Sequence, residues 1–334
     1  MMQEIIMVNI KDILKNRILV LDGAMGTMIQ RYQLTEEDFR GTQFVDHPCS
    51  LKGNNDLLSI TRPDVIKEIH AQYFEAGADI VETNSFGSTW VAQDDYQLAS
   101  AVYDINYASA KIAKEVATEF TLKQPNKPRF VAGSIGPTTK LASMSPDVND
   151  PGFRNISFEQ LVHAFKEQVA GLIDGGSDLL LVETITDTLN AKAALFAIDE
   201  VQKEKGTHLP IMISGTITDA SGRTLSGQNT EAFVISVEHS KPLSIGLNCA
   251  LGAEALRPYL KTIREKSKGF VSAHPNAGLP NEMGQYDESP EFMAQQIKVF
   301  LDEGLVNIIG GCCGTTPEHI KAIATLAANY APKN

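Results

Sequence analysis

Cysteine is scarce in this chain, four in 334 residues. That is too few to staple a fold of this size and suits free thiols or metal ligands better than a disulfide framework. Basic residues are also short: 29 Lys and Arg stand against 41 Asp and Glu, a net charge of −12. A phosphate-binding surface needs the opposite excess, so no nucleic-acid partner is expected. The charges are scattered rather than blocked, as on a solvated acidic surface. No window is apolar and long enough to span a membrane, so no membrane partner is expected. The opening "MMQEIIMVNIKDIL" lacks the basic stretch and apolar length of a signal peptide, and the expected compartment is the cytoplasm. Low-complexity tracts and the H-E-x-x-H and G-x-G-x-x-G patterns are missing too, which removes the usual zinc-protease and dinucleotide signatures.

What the chain does have is repetition. Short apolar runs recur at 17–26, 79–87, 129–137, 178–186, 210–218, 243–250, 269–278 and 306–314. Each is about one strand long and too continuously apolar for a half-exposed strand, which suits parallel strands buried on both faces. Helical stretches lie between them. "RPDVIKEIHAQYFEAGA" repeats apolar residues at three- and four-residue steps and closes on Gly77. "SFEQLVHAFKEQVAGLIDGG" offers Ser157 as N-cap, and Ser289–Pro290 and Thr316–Pro317 pair a cap with proline at the first helical position. Strand then helix, eight times, predicts a single-domain α/β fold of the (β/α)8 TIM-barrel type rather than an open doubly wound sheet. The expected layout is an N-terminal extension over 1–16, the barrel over 17–330 and a tail or start of a linker over 331–334.

Barrel chemistry sits at the C-terminal ends of the strands. Polar residues fall there: Asp22, Glu82 and Asn84, Glu183, Asn248 and Cys249, Asn276, and the neighbours Cys312 and Cys313. A core has no use for adjacent cysteines, because neighbouring side chains on a strand point to opposite faces. Strands six and eight carry the three rim cysteines and lie two apart around the ring. Three thiolates so close need a cation, and zinc is soft and tetrahedral enough to hold them, leaving a fourth place open as in catalytic sites. Gly310, Gly311 and Gly314 allow the turn this requires, and a helix starting near Thr316 aims its positive end at the sulfurs. Spacing alone leaves open a vicinal disulfide or plain packing residues. His274 and His319 read as loop or helix-surface residues, and Cys49 beside His47 as an ordinary loop cysteine.

"LDGAMGT", "GLNC", "PNAG" and "GGCCGTTPEH", in that order, resemble the homocysteine S-methyltransferase family over nearly the whole chain. Within it, "CSLKGNNDLLSITRPDVI" and "RYQLTEEDFRG" look most like the homocysteine-binding module of cobalamin-dependent methionine synthases. The resemblance implies a zinc ion held by Cys249, Cys312 and Cys313, with Asn276 in the fourth place before homocysteine arrives. It implies that Glu183 holds the substrate ammonium and that the turn at Asp22, Gly23 and Ala24 receives the amino-acid head group. Asn84 and Asn248 match motif positions and join the substrate contacts without a firm role. No catalytic group beyond the zinc site is implied.

On this resemblance the activity is methyl transfer to homocysteine sulfur to form methionine. Methylcobalamin is the donor, carried by a separate module, and the partners are the cobalamin-binding and methyltetrahydrofolate-binding modules of a longer enzyme. Those modules have no room in 334 residues, so the chain reads as an excised module or a separate small enzyme, and the irregular tail after Tyr330 favours the former. The alternatives are a free-standing enzyme using S-methylmethionine or betaine, and a non-catalytic barrel with structural zinc or redox-sensing thiols. The donor surface is expected in the rim loops 138–156 and 218–229.

Overall fold

The computed structural model describes residues 9–219 and 221–333. Eight parallel strands form one sheet: β1 Leu19–Val20, β2 Ile80–Glu82, β3 Phe130–Ile135, β4 Leu179–Ile185, β5 Ile211–Gly215, β6 Ser244–Gly252, β7 Phe270–Asn276 and β8 Ile308–Ile309. Their order is β1-β8-β7-β6-β5-β4-β3-β2, and a parallel bridge from Leu21 to Ile80 draws the two ends together. The fold is therefore the TIM barrel expected, with helices around it. The apolar runs outlast the strands. After two residues, for example, β1 gives way to rim turns whose backbone bonds elsewhere: Asp22 O accepts from Gly311 N at 3.0 Å.

Helices form where the caps promised them. Pro63–Ala76 ends on Gly77 at φ 113°, a left-handed cap that costs glycine little. Ser157 caps Phe158–Asp174 with a full capping box, and Ser289 caps Pro290–Glu303. Their inner faces pack on the outward residues of the sheet, such as Val20, Val81, Val131, Leu180 and Ile213. Alternate residues on the same strands point into the barrel. Leu19, Ile80, Phe130, Leu179, Met212 and Ile308 form a separate apolar cluster, which Ile10 and Leu14 of the short helix Ile10–Leu14 join. Stepping two residues further along the same inward faces replaces apolar with polar: Ile80 by Glu82, Ala132 by Ser134, Leu181 by Glu183 and Met212 by Ser214. The barrel is thus oily below and polar at its C-terminal mouth.

Two histidines depart from expectation. His274 shares the inward parity of Phe270 on β7 and is buried; desolvation pushes its imidazole down to about 3, so it is neutral. His319 is buried as well. Its Nδ1 accepts from Thr316 N (3.3 Å) and its Nε2 donates to Glu288 O (2.9 Å), completing a capping box. The sequence reading of loop or helix-surface residues fails on burial: His274 lies on an inward strand face and His319 in a cap.

The seam between β1, β2 and β3 depends on one buried carboxylate. Asp79 accepts from Arg17 Nη1 (2.8 Å) and Val20 N (2.9 Å), while its backbone bonds Val20 O (2.7 Å) and Phe130 N (2.9 Å). Asp79→Ala would leave a buried amide and the half-buried Arg17 guanidinium without their acceptor, at a cost of about 1.5–3 kcal/mol. Urea titration should show this as a lower midpoint with an unchanged slope. A shift within error would remove Asp79 as the tie. Among the described residues no helix is long and apolar enough to cross a membrane.

Candidate active site

The three rim cysteines meet because β6 and β8 both stop behaving as strands. On β6 the register to β7 shifts between Asn248 and Gly252, and Cys249 and Ala250 take φ values of 60° and 52°. Left-handed backbone is costly for residues with a Cβ. Here it turns Cys249, which would otherwise face away from Asn248, back toward the mouth. After β8 the chain turns at once. Cys312 N donates to Pro275 O (2.9 Å), Ala277 N to Cys313 O (3.0 Å), and Thr315 N and Oγ1 both to Cys312 O (3.1 and 2.6 Å). Gly314, at φ 81°, completes the turn. Strand alternation no longer applies, and both neighbouring thiols face one point.

Cys312 Sγ lies 3.1 Å from Cys249 Sγ, which lies 3.5 Å from Cys313 Sγ; all three fall within 4.8 Å of one another. A disulfide needs ~2.05 Å, so the vicinal bridge left open by spacing is absent and the thiols are free. Sulfurs at ~2.3 Å from a tetrahedral zinc sit about 3.8 Å apart, close to the observed spacing. The donor set therefore fits a zinc ion. A second observation agrees: Asn276 Oδ1 is buried with no hydrogen-bond donor among the described residues, and the backbone on either side of it is clipped to the cysteine turn through Pro275 and Ala277. The sulfurs hydrogen-bond to one another. Thiols donating from Cys249 and Cys312, with help from Tyr286, pull Cys313 down to about 3, and their own pKa values rise in return, Cys249 to about 12.

The cysteines open into a cavity of about 1230 Å³. Five carboxylates also line it, Asp22, Glu82 and Glu183 among them. Glu183, on β4, accepts from Ser134 Oγ (2.5 Å) and Thr184 Oγ1 (3.3 Å). Asp22 accepts from Glu82 N (3.1 Å), and Glu82 follows Ile80 on the inward face of β2. Burial, aided by neighbouring negative charge, raises all three: Glu183 to about 7, Asp22 and Glu82 well above the carboxylate range. None has a Lys or Arg within salt-bridge distance among the described residues. The cavity thus sets three carboxylates that lack a Lys or Arg partner among the described residues beside three thiols.

The homocysteine S-methyltransferase family model matches residues 19–327. The chain belongs to this family. Among solved structures, the metallated form of the homocysteine methyltransferase MmuM from Escherichia coli is similar at a TM-score of 0.71 and 23% identity, over 93% of this chain and 96% of that one. Its oxidized form is similar at 0.70 and 22%, over 92% and 95%. These likenesses concern the fold; membership makes the chain a methyltransferase of the homocysteine class.

In this homocysteine S-methyltransferase the residues expected from the sequence gather unevenly. Cys249, Cys312, Cys313, Asp22, Gly23, Ala24, Glu183 and Asn84 line the one cavity. The amide of Ala24 is already committed to Thr315 Oγ1 (3.2 Å), and Asn84 Nδ2 to Asn55 O (2.8 Å) and Ser59 Oγ (3.2 Å). Asn248 braces the site: its Oδ1 accepts from Ser214 Oγ (2.7 Å) and Thr184 N (3.0 Å), and its Nδ2 donates to Thr184 Oγ1 (2.8 Å) and lies 3.8 Å from Cys312 Sγ. That brace holds Thr184 at φ 53°, an outlier for a β-branched residue. Cys49 stands apart from the cluster, donating to Tyr96 O (3.2 Å), which also accepts from His47 Nε2 (2.8 Å). Glu82, Tyr286 and Asp56 were not among the expected contacts. Glu82 carried a signal, its two-residue step from Ile80; Asp56 sits on the short 3-10 turn Asn55–Leu57 and Tyr286 in an irregular loop.

Proposed function

We propose that this chain activates homocysteine for methylation, and that Cys249, Cys312 and Cys313 would hold zinc, with Asn276 as a further donor in the absence of substrate. When bound, zinc supplies a thiolate at neutral pH, where a free thiol of pKa ~8.5 is only about 3% ionised. The chain's own groups do the rest. Glu183, with Glu82 and Asp22, holds the substrate ammonium; the Gly23–Ala24 turn borders the head group; Asn248 keeps Thr184 and the cysteine turn in register. Positioning of this kind is worth up to ~7–11 kcal/mol where alignment is ideal. One observation carries the reading: three free sulfurs converge in the same cavity as Asp22, Glu82 and Glu183, none of which has a Lys or Arg partner among the described residues. X-ray absorption at the zinc edge tests it. Sulfur neighbours should rise from three to four when homocysteine is added, and a count that stays fixed rejects it in favour of a structural or redox site.

The donor we propose is methylcobalamin on a separate module. In its support, Gly53, Asn54, Asn55 and Asp56, from the stretch that looks most like the methionine synthase module, build the cavity wall. The volume also exceeds the ~300–1,000 Å³ usual for a small ligand. A second reading has its own observation. Asp22, Asp56, Glu82, Glu183 and Glu318 line the cavity against one strong base, Arg31, a field that draws a sulfonium or quaternary ammonium donor. Turnover of the bare chain with methylcobalamin, S-methylmethionine and betaine decides. Activity only with the last two would overturn the cobalamin assignment.

A further inference from the structure

Toward the N-terminal ends of β5 and β6, away from the mouth, lies a second cavity of about 870 Å³. That volume falls within the ~300–1,000 Å³ of small-ligand sites. It opens beside the helix Thr188–Lys205, whose 18 residues outrun the 8 of Thr230–Val237, the next helix in the ring. Lys192, Leu195, Phe196, Asp199 and Gln202 recur with the helical period, so one face of the longer helix forms a wall. Ile211 at the start of β5, Leu243 just before β6, and Lys11 of the short helix under the barrel close the rest.

The lining is of two kinds. Lys11, Lys192 and Lys241, with His208 and His239, face a single acid, Asp199. That acid is already taken by Lys203 Nζ at 2.5 Å, and Lys205 on the same helix is paired with Asp174 at 2.7 Å. Lys11, Lys192 and Lys241 have no carboxylate within salt-bridge distance among the described residues. Between the cations the surface is apolar. Leu195 and Leu243 are buried, and Phe196 is 49% exposed, its ring meeting Phe158 edge-on at 6.2 Å. Three uncompensated cations in a chain of net charge −12 make a local field opposite in sign to the rest of the molecule. The exposed ring beside them offers a face for stacking.

We infer that this cavity binds a small aromatic polyanion, a ring carrying two or more phosphate or carboxylate charges. The lysines take the charges and Phe196 takes the ring. Lysine acts as a point charge toward carboxylate and phosphate alike, so the lining selects for charge number and an apolar body rather than for one acid. A broad protein partner fits less well, because lysine is depleted from the cores of protein interfaces. The inference stands apart from the zinc reading, since the two cavities share no lining residue. The three lysines come from distant parts of the chain, which is why they pass for scattered charge in the sequence.

Calorimetric titration of the full chain in magnesium-free buffer tests this. The ligands are adenosine triphosphate and benzenetricarboxylate, with tripolyphosphate as the charge alone and adenosine as the ring alone. At least one aromatic polyanion should bind about tenfold more tightly than either control, and which one does assigns the anion to phosphate or carboxylate. The double variant Lys192→Glu, Lys241→Glu should weaken that binding about a hundredfold and Phe196→Ala about tenfold. Circular dichroism and methyl-transfer turnover should stay at parental values in both. Tripolyphosphate bound as tightly as adenosine triphosphate would overturn the role of the ring. No binding of either aromatic polyanion at about 1 mM, or binding that survives the double reversal, overturns the site itself. Sedimentation showing a dimeric parent and a monomeric double variant would give this face to a second copy of the chain instead.

Discussion

Cys312→Ser should lose zinc and methyl-acceptor activity together while the barrel stays folded. Serine keeps the size of the side chain, but its hydroxyl stays protonated where a thiolate is needed. Structural zinc sites draw ~10–16 kcal/mol from four ligands, so one sulfur carries about 3 kcal/mol, roughly a hundredfold in metal affinity. Cys312 is also the sulfur bonded through its backbone to both Pro275 and Thr315. Those bonds survive the substitution, and neither apolar cluster contains the residue, so circular dichroism and melting temperature should scarcely move. Metal analysis after dialysis against a weak chelator, paired with homocysteine turnover, is the check. Full zinc occupancy with unchanged turnover would show that the metal, if any, lies elsewhere.

How far the sequence went toward this site depends on the kind of backbone each residue occupies. Cys312 and Cys313 were legible because the run ending at Ile309 meets two glycines, which predicts a strand that stops and turns. Asn248 and Cys249 were placed on the right rim by the barrel pattern. Nothing in the order of residues, however, announces that Cys249 and Ala250 adopt φ values of 60° and 52°, since that turn lies where β6 loses its register with β7. Glu82 was visible as a polar end to an apolar strand, but its closeness to Asp22 depends on ring closure through Leu21 and Ile80, a contact between the first and second units. Tyr286 sits in a loop with no period at all. Its place is set by Asn281 and His319, and hydrogen bonds of that kind are invisible to hydrophobic patterning. Caps fared best because their physics is local: Ser157, Ser289 and Gly77 stand where the text of the chain puts them.

Homocysteine binding should weaken as pH falls through about 7, and Glu183→Gln should remove most of that dependence along with much of the affinity. Burial raises the Glu183 carboxyl to about 7 against an ordinary 4.5. Between those values the folded chain keeps a proton that the unfolded chain releases, so for this group stability is present at low pH and is lost as pH rises through 7. Asp22 and Glu82 are raised as well and add to the same trend, the three titrating as a set. A bound ammonium reverses the balance, because it favours the ionised form that burial penalises. The melting-temperature gain from homocysteine should therefore be small at pH 6 and large at pH 8. KM on the zinc-saturated chain should rise up to about tenfold per pH unit below 7. Glutamine keeps the shape and can still accept from Ser134 or Thr184, which bond different carboxylate oxygens, but it carries no charge. The loss is that of a hydrogen bond to a charged group, about 1.5–3 kcal/mol, or ten- to a hundredfold in KM with a smaller change in kcat. The free variant should also melt higher than the parent at pH 8, since it buries no charge there. Parental KM together with a parental melting curve across pH 6–8 would show that the ammonium sits elsewhere and that these three carboxylates serve only the fold.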